Sequence, residues 1–203
     1  MYLETHTHGR LGYAPEKSAL PRLGARVEAL FTPRAADPDR SGLYVVSSNA
    51  GFQSSLLFWS EARQNGLGLA NPELFPWTLA NAPCGWLARE FHITGPNATY
   101  TGKDDALMWA LDQADDDLLS QQVDTAWIVA VDFAQQPASR TEFSAVRLSL
   151  RPASLRMTRT AVAVPRAGRS LRASAALAKA FVMLKTCPSV TVADDRSAWL
   201  IGQ

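Results

Sequence analysis

The stretch GPNATYTGKDDALMWAL, Gly95 to Leu111, has the pattern of a short strand, a glycine turn and a helix that opens on two acids. A strand turning sharply into a helix presents one side chain at the helix N-terminus. The macrodipole there favours negative charge and activates a thiol by lowering its pKa. This elbow carries Lys103, Asp104 and Asp105, with neither Cys nor Ser among them. An exposed carboxylate gains about 0.3–1 kcal/mol at such a place, but it is a poor nucleophile. Adjacent residues on a helix do not face each other, so Asp104 and Asp105 do not form an acid–base dyad.

Other reactive residue types are sparse. His6 and His8, in HTH, share one face of a strand at a spacing a metal can use, but the remaining histidine is the distant His92. No metal site is expected, and His92 reads as a loop residue. Cys84 stands among small apolar residues with no neighbouring base to lower its pKa, and Cys187 precedes Pro188. Both read as buried and inert. Two distant cysteines are neither a disulfide framework nor a zinc pattern. There is no Gly-x-Ser-x-Gly elbow, Walker loop or dinucleotide glycine fingerprint. Asp115, Asp116 and Asp117 read as a solvated helix end.

The elements that must position these residues follow from periodicity. The 203 residues, 47% apolar and 19% charged, specify a globular chain, read as a single domain over 1–203. KSALPRLGARVEALF repeats Leu20, Leu23, Val27 and Leu30 with a helical period. Pro21 favours the first turn of that helix. LYVVSS is a buried strand, and NAGFQSSLLFWSEARQNG is a helix closed by Gly66. WTLANAPCGWLAREF mixes small and large residues, as an interrupted helix in a tight interface would. DDALMWALDQADDDLLSQQ places Leu107, Leu111, Ala114 and Leu118 on one helical face. YLETHT, NATYT, TAWIVAVDF, EFSAVRLSLR, TAVAVP, SVTVADD and SAWLIGQ read as further strands, with RSLRASAALAKAFVMLK a helix between the last two pairs. QQPASRT is an excursion. Alternating strands and helices mean a layered α/β domain.

A net charge of +1 argues against a nucleic-acid partner. It conceals eleven acids against three bases from Glu61 to Asp132, and three acids against eleven bases from Phe133 to Gln203. Two solvated faces, or a docking surface for a partner protein, would both produce that asymmetry. The start MYLETHTHGR lacks a signal-peptide pattern and no apolar run reaches a membrane span. A cytoplasmic location and no membrane association are expected.

The residues from Ser47 to Asp132 resemble the N-terminal half of the β-ketoacyl synthases, the condensing-enzyme branch of the thiolase fold. The likeness is carried by SSNAGFQSS, by NPELFPWTLANAPCGWLAREFHITGPNATYT and by VDTAWIVAVD. It fades after Phe133. The resemblance implies half of a thiolase-like fold, a mixed five-stranded sheet covered by helices. In active family members the nucleophilic cysteine lies nine residues after the Gly of the Gly-Pro pair, and counting from Gly95 puts Asp104 there. The family's catalytic histidines come from its C-terminal half, whereas no histidine follows Phe133.

These departures are similar to those of chain-length factors, which lack the cysteine, pair with an active ketosynthase and shape its acyl tunnel. Half-length forms occur as partner subunits in aryl-polyene and related pathways. The better-known members carry Gln at the elbow, where this chain has Asp104. The resemblance implies a non-catalytic subunit in a heterodimer with an active ketosynthase, meeting acyl carrier protein through that complex, with no cofactor. It implies partner contacts at Pro83, Cys84, Gly85, Trp86 and the segment to Ala88, and at Asn97, Thr99, Tyr100 and Thr101. Trp86, Phe91 and Trp109 are the bulky residues expected at the tunnel. Two alternatives stand beside it. One is a free-standing thiolase-fold enzyme using Asp104 as an acid–base group on an acyl thioester, a hydrolase or decarboxylase. The other is a homodimeric scaffold that keeps only the fold.

Overall fold

Eight strands join into one sheet in the computed structural model, which describes residues 1–31, 37–151, 155–160, 173–183, 189–193 and 198–202. They are β1 (Tyr2–Leu11), β2 (Ser41–Ser47), β3 (Asn97–Thr101), β4 (Thr125–Asp132), β5 (Thr141–Ser149), β6 (Leu155–Thr160), β7 (Ser189–Ala193) and β8 (Ala198–Gly202). Their spatial order is β3-β2-β4-β5-β1-β6-β8-β7. β2 runs parallel to β3 and β4, and the other pairings are antiparallel.

The expected class, a mixed sheet with helices on it, is observed. The expected five strands become eight. A mixed block, β3-β2-β4-β5-β1, continues into the antiparallel run β6-β8-β7, because β6 pairs with the start of β1 at Tyr2 and Leu3. The strand expected in TAVAVP is described only at Thr160, the end of β6. Its remaining residues lie outside the described ones, as does Cys187.

Among the described residues five α-helices accompany the sheet: α1 (Glu16–Val27), α2 (Phe52–Asn65), α3 (Ala82–Glu90), α4 (Asp104–Leu119) and α5 (Ala173–Met183). α1 buries Leu20, Leu23 and Val27 as its period requires. It begins at Glu16, so Pro21 falls in the helix interior instead of the first turn. Pro21 is exposed, on the side of the helix where a lost backbone hydrogen bond costs least. α4 buries Leu107, Leu111, Ala114 and Leu118 almost completely.

Strand alternation sorts side chains to two faces. Tyr44, Val46, Ala126, Ile128 and Ala130 pack with α4 and α5, while Leu43, Val45, Trp127, Val129 and Val131 pack with α1 and α3. α2 belongs to neither layer. It packs chiefly on two 3₁₀ turns that follow it, Leu67–Leu69 and Phe75–Thr78, so residues 52–79 form an arm beside the sheet.

One expectation fails on α4. Of the three acids at its end only Asp116 is exposed, whereas Asp115 and Asp117 are buried. Asp117 accepts from the Tyr44 hydroxyl on β2 and, at 2.9 Å, from Gln113 Nε2. Asp112 accepts from Trp199 Nε1 on β8 at 3.0 Å. α4 is covered through its last turn, and strands distant in sequence bring the donors that let carboxylates be buried. Part of the acidic run from Glu61 to Asp132 is thus internal stapling and not a charged surface.

Candidate functional site

Parallel strands leave a crevice at their C-terminal ends, the usual place for a site in an α/β sheet. Here those ends are Ser47, Thr101 and Asp132. β3 passes into the elbow at Gly102, whose N–H donates to the Ser47 carbonyl at 3.1 Å. A Cβ on Gly102 would press on the Cβ of Ala106, so the turn is tight enough to require glycine. The Asp105 carboxylate accepts the Lys103 N–H at 3.1 Å and fixes the turn from inside the helix. α4 opens at Asp104, as its two acids led one to expect. The Asp104 side chain lies outside the described residues.

The remainder of this crevice is knitted by groups that sequence reading passed over. Asp132 is fully buried and accepts from the Ser48 N–H at 2.9 Å and from the Ser48 hydroxyl. Asn49 clamps the backbone of Phe133, donating to its carbonyl at 2.8 Å and accepting its N–H at 2.9 Å. Ser47 Oγ accepts the N–H of Ala50 at 3.0 Å. These contacts tie the loop after β2 to the end of β4. Each polar group binds a neighbour, and the arrangement holds the elbow's surroundings still. The sequence signal was present in SSNAG, a run of turn formers directly after a buried strand.

Cys84 is buried, with Sγ 3.6 Å from the Ala98 carbonyl. Burial pushes its thiol up to about 11, against smaller pulls from Thr99 and Ala98. That is the environment of a packing cysteine. Burial and the Asp117 carboxylate likewise push the Tyr44 phenol up, and Tyr100 shifts the same way for the same two causes. His92 is exposed in a left-handed turn that ends α3. His6 and His8 are exposed on β1, and no group of three metal-ligating side chains occurs among the described residues.

The expected contact residues fall in two places. Pro83 and Cys84 are buried under α3, Gly85 is exposed on its outer side, and Ala82, Trp86 and Ala88 are half-buried. Trp86 lays its ring against Gly24 of α1, and Phe91 stacks on Phe31 with centroids 3.9 Å apart. Trp109 lies on the opposite face of the sheet, on α4, 45% exposed. The structure therefore does not bring Trp86, Phe91 and Trp109 together. Asn97, Thr99, Tyr100 and Thr101 line β3, which among the described residues is an edge strand paired with β2 alone. It contains no Pro, Lys or bulge to protect that edge.

A second surface was missed. Phe52, Leu56 and Trp59 on α2, and Leu67, Leu69 and Phe75 beyond it, are each more than half exposed. Such an apolar surface marks a protein contact. The arm's Phe75–Thr78 turn touches α3, and α3 also touches β3. The signal was in FQSSLLFW, where apolar residues go round the helix instead of following one stripe.

No family model matches the chain, and no curated protein matches it. Solved structures do. A chain of the complex of ketosynthase ApeO with its chain length factor ApeC, from Xenorhabdus doucetiae, superposes with a TM-score of 0.64 at 15% identity. The match covers 92% of this chain and 81% of that one. The ishigamide ketosynthase/chain length factor gives a TM-score of 0.51 at 14% identity over 63% of this chain and 43% of its own. The ketosynthase from module 1 of the bacillaene synthase of Bacillus amyloliquefaciens FZB42 gives 0.51 at 11% identity, over 77% and 35%. This chain thus spans less than half of the last two and four fifths of the first. At these identities the likeness is one of fold: the chain has the thiolase-like α/β architecture of ketosynthase and chain-length-factor chains.

Proposed function

We propose that the chain is a single-domain, non-catalytic, chain-length-factor-like subunit that pairs with an active β-ketoacyl synthase and shapes its acyl tunnel, in a polyketide or aryl-polyene type of pathway in the cytoplasm. The observation that carries the reading is the exposed apolar surface of the 52–79 arm. Exposed apolar side chains fit a stable subunit contact, and β3, at the edge of the sheet among the described residues, offers a further one. The fold likeness to a chain of a ketosynthase–chain length factor complex supports the kind of partner. The sequence places Asp104 where an active synthase has its thiol, and Cys84 is buried with a raised pKa. Acyl chains then belong to the partner and arrive on acyl carrier protein. No helix among the described residues is long and apolar enough to cross a membrane.

The test is co-expression with candidate β-ketoacyl synthases, any encoded in neighbouring genes first, followed by gel filtration. A 1:1 complex is expected. A soluble homodimer that ignores the ketosynthase overturns the reading. So does turnover of an acyl thioester by the isolated chain that Asp104→Asn abolishes.

A further inference from the structure

The arm is fastened to the sheet body by a five-residue stretch, Tyr13 to Lys17, at the start of α1. Gln53 Nε2 donates to the Tyr13 hydroxyl at 2.8 Å, and the Lys17 ammonium pairs with Glu73 at 3.5 Å on the surface. Between them stands Glu16, 1% exposed. Its Oε2 accepts the Gly51 N–H at 3.0 Å and the Ser54 hydroxyl at 3.4 Å, at the mouth of α2. Gly51 has φ +79°, and a Cβ there would run into the Thr78 carbonyl. The arm's beginning, its end and the Glu16 carboxyl therefore meet at one point.

The polar groups at that point do not balance if Glu16 is charged. Glu16 Oε1 and Gln53 Oε1 are both buried acceptors without a donor. An ionised carboxylate leaves both of these acceptors orphaned and adds a buried charge, and no cation pairs with it among the described residues. Lys17 is turned away to Glu73, the Tyr13 hydroxyl accepts from Gln53 and carries no positive charge, and Asp132 at the other end of the Ser48–Gly51 loop is itself an acid. A proton on the carboxyl removes the charge and adds one donor to a junction short of donors.

We propose that Glu16 is a proton-operated clasp: protonated, it completes the junction and holds the arm to the body, and ionised, it loosens the arm. Desolvation pushes its carboxyl up to about 7, outweighing the pull of the Gly51 and Gln53 N–H groups and of Ser54. With the arm open the carboxyl returns to its ordinary range near 4.5. The closed state then binds more protons between those two values, so closure weakens as pH rises through that window and is constant above it. The inference concerns the isolated chain and stands whether or not a ketosynthase is the partner.

Hydrogen exchange of the Ser55 amide, bonded to the Gly51 carbonyl at 2.9 Å, reads the opening. After correction for intrinsic rates, exchange through local opening is expected to rise about tenfold per pH unit from about pH 5 to about pH 7, and to level off above. Glu16→Gln, neutral at every pH, is expected to give a flat profile. A flat wild-type profile, or the same slope in E16Q, overturns the proposal. Should E16Q not fold, carboxyl carbon titration of the wild type decides. A Glu midpoint near 7 upholds the clasp, and all Glu midpoints below about 5.5 overturn it.

Discussion

The sheet body and the 52–79 arm are written in similarly apolar sequence, and they use it in opposite ways. In the body, Trp127 is fully enclosed, donates Nε1–H to the Leu30 carbonyl at 3.1 Å and stacks on Phe31 at 5.1 Å. In the arm, Trp59 is 57% exposed and meets little beyond Phe58. The body has settled its apolar surface within the chain. The arm has left most of its own for something else, and is held at its root and where Trp77 packs on the core under α1 and α3. Apolar content therefore does not say whether a segment stabilises the fold or serves contact; the partners of each side chain do.

The sharpest way to break this contrast is at the two tryptophans. Trp127→Ala removes a large enclosed ring and leaves the Leu30 carbonyl without its donor. It is expected to cost about 3–5 kcal/mol of unfolding free energy, read by denaturant titration. A loss under about 1 kcal/mol would mean the body is packed no better than the arm.

Next in size is the staple on α4. Tyr44→Phe deletes the hydroxyl that Asp117 accepts, leaving a buried carboxylate that still accepts from Gln113 Nε2. A cost of about 1–3 kcal/mol is expected, again global, because α4 and β2 both belong to the body. A neutral result would show water reaching Asp117 and would move the end of α4 to the arm's side of the comparison.

These two regions were not equally legible in the sequence. α4 was, because Leu107, Leu111, Ala114 and Leu118 keep one period and find one face. β2 was, because LYVV is a short apolar run with two adjacent valines, bounded by Ser-Gly and Ser-Ser. Of the extra strands, β7 and β8 were read but β6 was not, apart from Thr160, and its joining to β1 depends on pairings over 150 residues apart, such as Tyr2 with Arg156. The Asp117 staple was hidden for the same reason, its donor lying 73 residues away. At the candidate site the elbow's turn and helix start were readable from Gly102 and the two acids. The Asp132 and Asn49 contacts, and the clasp at Glu16, were not, since each joins segments that only the fold makes neighbours.

A smaller and more local effect is expected at the root of the arm. Gly51→Ala forces a left-handed residue to carry a Cβ against the Thr78 carbonyl. The cost is about 1–2 kcal/mol, and it falls on arm closure more than on global stability. Hydrogen exchange should rise through α2 while β4 amides keep their protection. Uniform loss of protection in both would show that the arm and body unfold as one unit.

The smallest effect tests the other half of the comparison. Trp59→Ser changes a ring already more than half in water, so the expected stability change lies within about 0.5 kcal/mol. What should change is the surface. Binding of an apolar dye and concentration-dependent self-association are both expected to fall, because the ring belongs to the arm's contiguous exposed apolar set with Leu56 and Phe52. A stability loss approaching that of Trp127→Ala would make Trp59 a core residue of the arm. The surface assigned to a partner would then shrink to the β3 edge alone.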